Sequence, residues 1–185
     1  MRSLRDAVGR ELLWRPRSLF SHTYDLVEPD AGPVPPDSAA ALDRYATLDS
    51  IVRIGLSPEA RAASAEGTWV FRPRGYLHRR ILVETEGSGA PLATFQRYWR
   101  RGVLRFPDGR ELGWRRESFW SRTWLFEDPG AGVLMRFRGQ LAFPRARNRL
   151  VLDSASARLA ETPMLACLGW FLLVLARRRA ASRRV

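Results

Sequence analysis

Short segments in which apolar and polar residues alternate make up most of the chain after Thr68. An alternation with a period of two is typical of β-strands that bury one face. The pattern predicts strands at Thr68–Arg72, Leu77–Glu84, Leu92–Arg100, Val103–Pro107, Glu111–Arg116, Ser118–Glu127, Gly132–Arg138 and Asn148–Asp153. A series of strands this short indicates an all-β domain.

Two of the connections between these strands have strong turn sequences. Residues 107–109 (Pro-Asp-Gly) separate two alternating segments, and Asp-Gly favours the positive φ angles that a tight hairpin requires. Residues 128–132 (Asp-Pro-Gly-Ala-Gly) form a longer turn between the next pair. Consecutive strands joined by close turns predict an antiparallel meander that closes as a barrel or a sandwich.

The chain before Gly67 is less regular. Glu11–Trp14 and Ser18–Leu26 are compatible with first strands or with a brief helix, and Leu48–Leu56 alternates like a strand. The Ala-rich Ser57–Gly67 is either a loop or one or two helical turns. Residues 29–42, which are rich in Pro, Ala and Asp, predict an exposed loop insertion.

Within Gly132–Arg138, the alternation predicts that Val133, Met135 and Phe137 face inward. Ser118–Glu127 carries apolar bulk on both faces, so its inward face stays open.

The apolar segment Met164–Ala176 predicts a helix that is surrounded on all sides. Thr162 and Pro163 are favoured at a helix start, and Arg177–Arg179 supply positive charge where the helix dipole favours it. A helix over 163–179 is about 25 Å long. Its core positions are Leu165, Leu168, Trp170, Leu172, Leu173 and Leu175, and a basic tail follows at 180–185.

Two surroundings are compatible with this helix, namely protein or lipid. A membrane span requires about 20 apolar residues, which exceeds the length of this segment, and Glu161 lies just before it. Burial inside the domain is therefore favoured, and a tail anchor that uses 163–179 is the alternative.

The net charge of +12 arises entirely from arginine, since the chain has no lysine. Exclusive use of Arg is typical of a GC-rich genome and weakens the inference of nucleic-acid binding from charge alone. The chain has one cysteine, Cys167, and its N-terminus lacks the apolar segment of a secretory signal. We therefore expect a single domain over 1–185 in the cytoplasm, with peripheral membrane association as a further candidate.

Motifs for catalysis or metal binding are not found. His22 and His78 lack neighbouring metal ligands, and the glycine patterns of nucleotide-binding loops and hydrolase elbows are missing. We expect a non-enzymatic protein that has no catalytic residues, metal site or cofactor.

A block of arginine and aromatic residues between Arg97 and Arg149 is the one suggestive surface feature. Arginine binds phosphate groups, while Trp and Tyr insert at a lipid interface or stack on bases. Alternatively, the Trp side chains line the barrel wall and the Arg stems cover them. The candidate anion- or lipid-binding residues are Arg97, Arg100, Arg101, Arg115, Arg116 and Arg122.

A strand meander followed by one apolar helix resembles the tubby C-terminal-like superfamily, which includes tubby proteins, plant LURP-one-related proteins and phospholipid scramblases. The resemblance rests on GTWVFRPRGYLHRRILVE, PLATFQRYWRRGVLRFPDGRELGW, ESFWSRTWLFEDPGAGVLMRF and PMLACLGWFLLVLARRR, which lie within Gly67–Arg179. It implies an antiparallel barrel of about twelve strands around a central hydrophobic helix, and a binding or scaffold role.

Within that superfamily, tubby members bind phosphoinositides through basic surface residues, and scramblase-type members associate with membranes and calcium. No acidic calcium loop or Lys-rich phosphoinositide pocket can be matched in this chain. The expected partners are an anionic phospholipid or phosphoinositide, or another protein, and nucleic acid is the least favoured.

Overall fold

The computed structural model describes residues 1–17, 22–30, 44–51, 59–75, 79–140 and 147–182. It confirms the predicted architecture, a closed antiparallel barrel of twelve strands with one C-terminal helix. The strands are β1 (Glu11–Pro16), β2 (Thr23–Val27), β3 (Arg44–Ile51), β4 (Glu59–Ser64), β5 (Gly67–Arg74), β6 (Arg80–Thr85), β7 (Pro91–Arg97), β8 (Arg101–Arg105), β9 (Glu111–Arg116), β10 (Thr123–Asp128), β11 (Gly132–Gln140) and β12 (Arg147–Leu152).

Every strand pairs with its neighbours in the sequence, and β1 closes the barrel by pairing with β12. In that closing ladder Trp14 lies opposite Asn148. Both predicted turns are confirmed, because β8 pairs with β9 and β10 with β11 across them. Gly109 and Gly132 adopt φ angles of 86° and 81°, which explains the need for glycine at these two positions.

The helix α1 (Thr162–Ser182) lies inside the barrel, as the favoured interpretation predicted. It extends beyond the predicted 163–179, so the first residues of the predicted basic tail are helical. Leu165, Leu168 and Trp170 are fully buried. Leu172 and Leu175 are also buried, and Leu173 is partly exposed. Among the described residues, no helix has the length and apolar character that a membrane crossing requires.

Among the strands, α1 packs most extensively against β3 and β4, and it also contacts β5 and β11. The buried residues of this wall include Ala46, Ala60 and Ala62, whose small side chains allow the helix to approach. Aromatic residues fill other parts of the interior. Phe71 stacks on Phe171 of the helix with 5.6 Å between ring centroids, and other core aromatics pack among themselves. Small side chains on β3 and β4 and aromatic side chains elsewhere in the wall thus surround the helix.

The start of α1 is tied to the preceding 3₁₀ turn, Ser154–Arg158. The Thr162 hydroxyl donates a hydrogen bond to the Ser156 carbonyl at 2.6 Å. Helix capping was the predicted role of Thr162, and the structure gives this side chain a bond that anchors the helix entrance to the barrel.

Three sequence predictions were wrong: the nature of one segment, the start of one strand and the inward position of one residue. Ser57–Gly67 was expected to be a loop or helical turns, but it contains β4, since the helix requires small residues on this strand. Ser118–Glu127 was expected to be one strand, but β10 begins only at Thr123. A register shift at Phe126 and Glu127 leaves Val133 partly exposed, while Met135 and Phe137 face the core as predicted.

Two sequence predictions fall outside the described residues. The proposed insertion at 29–42 is described only for Pro29 and Asp30, and His78 is not described at all. Within the described residues, no group of three His, Cys, Asp or Glu side chains is positioned to hold a metal ion.

Glu66, in the β4–β5 turn, holds the N-terminal 3₁₀ turn (Leu4–Ala7) against the barrel. Its carboxylate accepts hydrogen bonds from the Ser3 hydroxyl at 2.7 Å, the Leu4 amide at 2.8 Å and the Ser64 hydroxyl at 2.7 Å. Burial of the carboxylate opposes ionisation, but these hydrogen bonds outweigh it and lower the pKa of Glu66 below its ordinary value.

We expect Glu66→Gln to reduce the free energy of unfolding by about 1–2 kcal/mol at neutral pH, because the charge-assisted bonds are weakened. A carboxyl group whose pKa is lowered on folding stabilises the folded protein at pH values above its unfolded-state pKa. This stabilisation is lost as the pH falls through the folded-state pKa. The difference between variant and wild type should therefore shrink as pH falls through the folded-state pKa of Glu66, which lies below its ordinary value. Urea unfolding of both proteins at a series of pH values measures this difference in stability. Glu86→Gln, which removes only an exposed ion pair with Arg61, should change stability by less than about 0.5 kcal/mol.

Candidate functional site: a basic and aromatic rim

The meander places alternate connections at opposite ends of the barrel. The connections that follow odd-numbered strands, such as β7–β8 and β9–β10, share one end. α1 begins at the other end and points its C-terminus toward this one, where the Arg178 guanidinium lies 3.4 Å from the ring of His22. The end of the helix and the odd-numbered connections therefore form one surface.

This surface collects arginines that are far apart in the sequence, and we call it the basic rim. It comprises Arg74, Arg79, Arg80, Arg97, Arg100, Arg101, Arg115, Arg116, Arg122, Arg138 and the helix end Arg177–Arg179. Carboxylates are concentrated at the turns of the opposite end. They include Glu28, Asp30, Glu66, Glu86, Asp108, Asp128, Asp153 and Glu161. Several of these carboxylates form ion pairs with arginines, for example Glu28 with Arg2 and Arg10, so the net positive charge is concentrated at the rim.

Four large aromatic side chains are exposed on the same rim. Trp99 in the β7–β8 connection is 91% exposed, and Trp120 in the β9–β10 connection is 88% exposed. Tyr98 and Phe119 beside them are also exposed. Water is an unfavourable environment for indole rings of this size, so their clustering at one end marks an interaction surface.

Arginine–aromatic contacts join the two connections. The Arg100 guanidinium lies 4.1 Å from the centroid of the Phe119 ring, and Phe119 packs edge-on against Trp120 at 4.7 Å. The Arg116 guanidinium donates to the Phe119 carbonyl at 3.4 Å. These contacts fix the aromatic rings beside the charges, so that both kinds of group face outward together.

The six predicted arginines all lie on this rim, but their surroundings differ. Arg100, Arg101 and Arg122 are exposed, whereas Arg97, Arg115 and Arg116 are partly buried.

Arg115 is held by Glu127, whose carboxylate accepts hydrogen bonds from its Nε at 2.8 and 2.9 Å. This pairing raises the pKa of the guanidinium. Arg115 is therefore engaged within the barrel wall, and the exposed arginines are better placed to bind an anion.

Sequence reasoning missed Arg74, Arg79, Arg80 and Arg138 as members of the rim. Their positions in the meander would have identified them, because each lies at or next to a connection that follows an odd-numbered strand. That alternation can be counted along the strands predicted after Thr68, whatever the number of strands before them, so the signal was present in the sequence.

The rim continues inward at the helix end. The Arg177 guanidinium lies 5.2 Å from the centroid of the Trp170 ring. Burial lowers the pKa values of Arg177 and Arg178. A separate surface depression of about 450 Å³ lies at the opposite end, between the Ser154–Arg158 turn and the β10–β11 turn. It adjoins none of the aromatic or arginine groups of the rim.

Comparison of the chain with protein-family models, with curated proteins and with solved structures finds no match. The resemblance to the tubby-like superfamily therefore stays a hypothesis.

Proposed function

We propose that this protein is a binding module rather than an enzyme, and that its basic rim attaches it to membranes rich in anionic phospholipid. The observation that carries the proposal is the exposure of Trp99 and Trp120 among arginines at one end of the barrel. Trp is favoured at the boundary between headgroups and acyl chains, and arginines near an anionic surface contribute about 1 kcal/mol each. The tubby-like resemblance, whose tubby members bind phosphoinositides, is consistent with the proposal.

The charge distribution implies an end-on orientation. Attraction acts mainly on the basic rim, because carboxylates of the opposite turns are paired with arginines, so it turns the rim toward the membrane and the barrel axis toward the membrane normal. In this orientation the C-terminal end of α1 faces the lipid, and the N-terminal 3₁₀ turn faces away from it. The helix itself stays inside the barrel.

We expect Arg100→Gln combined with Arg122→Gln to weaken binding to phosphatidylserine-containing vesicles about 30-fold, from about 1 kcal/mol per arginine. The matched control is Arg5→Gln with Arg158→Gln, which removes the same charge from exposed positions at the opposite end. Vesicle sedimentation at physiological salt measures both. Equal weakening by the two double variants would show that net charge, rather than the rim, drives binding.

The aromatic contribution is tested in the same assay with Trp99→Ala and Trp120→Ala together. If the rings insert, the double variant should bind anionic vesicles more weakly than the wild type even at high salt, where the electrostatic attraction is screened. Equal binding of the wild type to phosphatidylcholine vesicles and to phosphatidylserine-containing vesicles would contradict the proposal. So would tighter retention of a single-stranded oligonucleotide than of anionic vesicles.

A further inference from the structure

Among the buried side chains whose polar atoms lack hydrogen-bond partners within the described residues, three lie next to one another inside the barrel. They are Trp14 on β1, Asn148 on β12 and Trp170 on α1, whose exposures are 0%, 1% and 0%. The unpartnered atoms are both indole Nε1 groups and both Oδ1 and Nδ2 of the Asn148 amide. A buried polar group without a partner costs about 1–3 kcal/mol, so several together indicate a place that another molecule occupies.

The side chains that carry these atoms meet at one part of the inner wall. Trp14 and Asn148 are register partners across the β1–β12 ladder, which places their side chains next to each other on the same face. The Trp170 ring stacks on Trp14, with 5.9 Å between the centroids and 7° between the planes. The three residues thus line a junction between the closing ladder and the helix.

On the β11 side, no side chain of the described residues covers the Asn148 amide. Its other register partner, Gly139 on β11, has no side chain, and a Cβ at that position would lie 3.8 Å from the Asn148 Nδ2. A glycine here leaves the donor side of the amide uncovered. The aromatic rings of Trp14 and Trp170 supply apolar walls for the rest of a bound molecule.

The chemistry of the junction selects an oxygen acceptor. Two indole N–H groups and the amide NH₂ are donors, against a single acceptor, the Asn148 carbonyl oxygen. The Arg177 guanidinium lies over the Trp170 ring on the side of the basic rim, which attracts anions toward it. A monovalent, planar carboxylate suits neutral donors flanked by one guanidinium, whereas a phosphate dianion would require more positive charge at the contact.

We propose that Trp14, Asn148 and Trp170 form an internal site for the carboxylate of a small organic acid with an apolar body, which reaches the site from the basic rim. The lowered pKa of the Arg177 guanidinium is consistent with this, because a bound anion would offset the burial that lowers it. The site is independent of the proposed membrane binding, so either can fail without the other.

Thermal unfolding of the full-length protein with sodium hexanoate tests the site, with sodium chloride and 1-hexanol as the ionic and apolar controls. We expect hexanoate to raise Tm by about 5 °C at a concentration on the order of 100 times its Kd. Asn148→Leu should abolish the shift. Trp14→Phe, which keeps an aromatic ring but removes the donor, should reduce it by at least half.

The matched control is Trp114→Phe, the same change in a core tryptophan on β9 whose ring packs against Trp124. This variant should keep the full shift caused by hexanoate. An equal shift with hexanol, or a shift that persists in Asn148→Leu, would overturn the proposal. So would the absence of a shift in the wild type. Should Asn148→Leu not fold, Trp14→Phe decides the test against the same control.

Discussion

Leu168→Arg is expected to prevent folding of the barrel. Leu168 is fully buried in the middle of α1. An arginine there would place an unpaired charge in the core, at a cost of more than about 4–5 kcal/mol. Since typical domains are stable by about 5–15 kcal/mol, this change removes much or all of the stability. Near-ultraviolet circular dichroism and gel filtration should show loss of fixed tertiary packing and an expanded or aggregated species.

The control for this experiment lies on the same helix. Ala176 is exposed where α1 leaves the barrel, and Ala176→Arg should change stability by less than about 0.5 kcal/mol. Comparison of the two variants separates the effect of an arginine in the core from the effect of an added arginine on the helix itself. A folded Leu168→Arg protein with wild-type stability would contradict the barrel core and revive the membrane-anchor alternative.

Gly169→Ala is expected to reduce the free energy of unfolding by about 2–3 kcal/mol. In an unconstrained helix the same change would stabilise by about 1 kcal/mol, because glycine is a poor helix former. Here a Cβ would overlap the Phe137 Cζ and lie 2.6 Å from its Cε2. Phe137 is fully buried on β11, so its ring has little room to move. Urea unfolding monitored by fluorescence gives the change in stability.

A substitution of Phe137 tests whether its contact with the new methyl group causes the destabilisation. Phe137→Leu alone leaves a partly filled cavity and destabilises, but in combination with Gly169→Ala it vacates the space that the new methyl group requires. The double variant should therefore be more stable than the sum of the single effects predicts, by at least about 1 kcal/mol. Strict additivity would rule out the Phe137 contact as the cause.

Local chemistry accounts for the elements that the sequence predicted well. Asp108 and Gly109 favour a tight turn wherever they occur, and the start and apolar length of α1 are likewise properties of adjacent residues. The fold class followed from these signals, because many short strands and one wholly apolar helix leave few architectures. The inward positions of Met135 and Phe137 followed from alternation within one strand.

The errors have long-range causes. β4 carries alanines because α1, about a hundred residues later in the sequence, approaches this wall. Phe119 and Trp120 were assigned to a strand because they are apolar, but pairing of β10 with β9 reaches only to Trp124 opposite Arg116. The basic rim is likewise created by closure of the barrel, which brings together connections that the sequence separates. Such features are set by tertiary contacts rather than by propensity.

The order of elements along the chain has a consequence for biosynthesis. Because α1 follows all twelve strands, the ribosome releases the complete wall before it releases the segment that fills its interior. Until then, the inward faces of residues such as Phe71, Phe95 and Phe126 have no helix to pack against. Native packing can be completed only after translation has passed α1. Translation therefore delivers the aggregation-prone part first and the segment that protects it last.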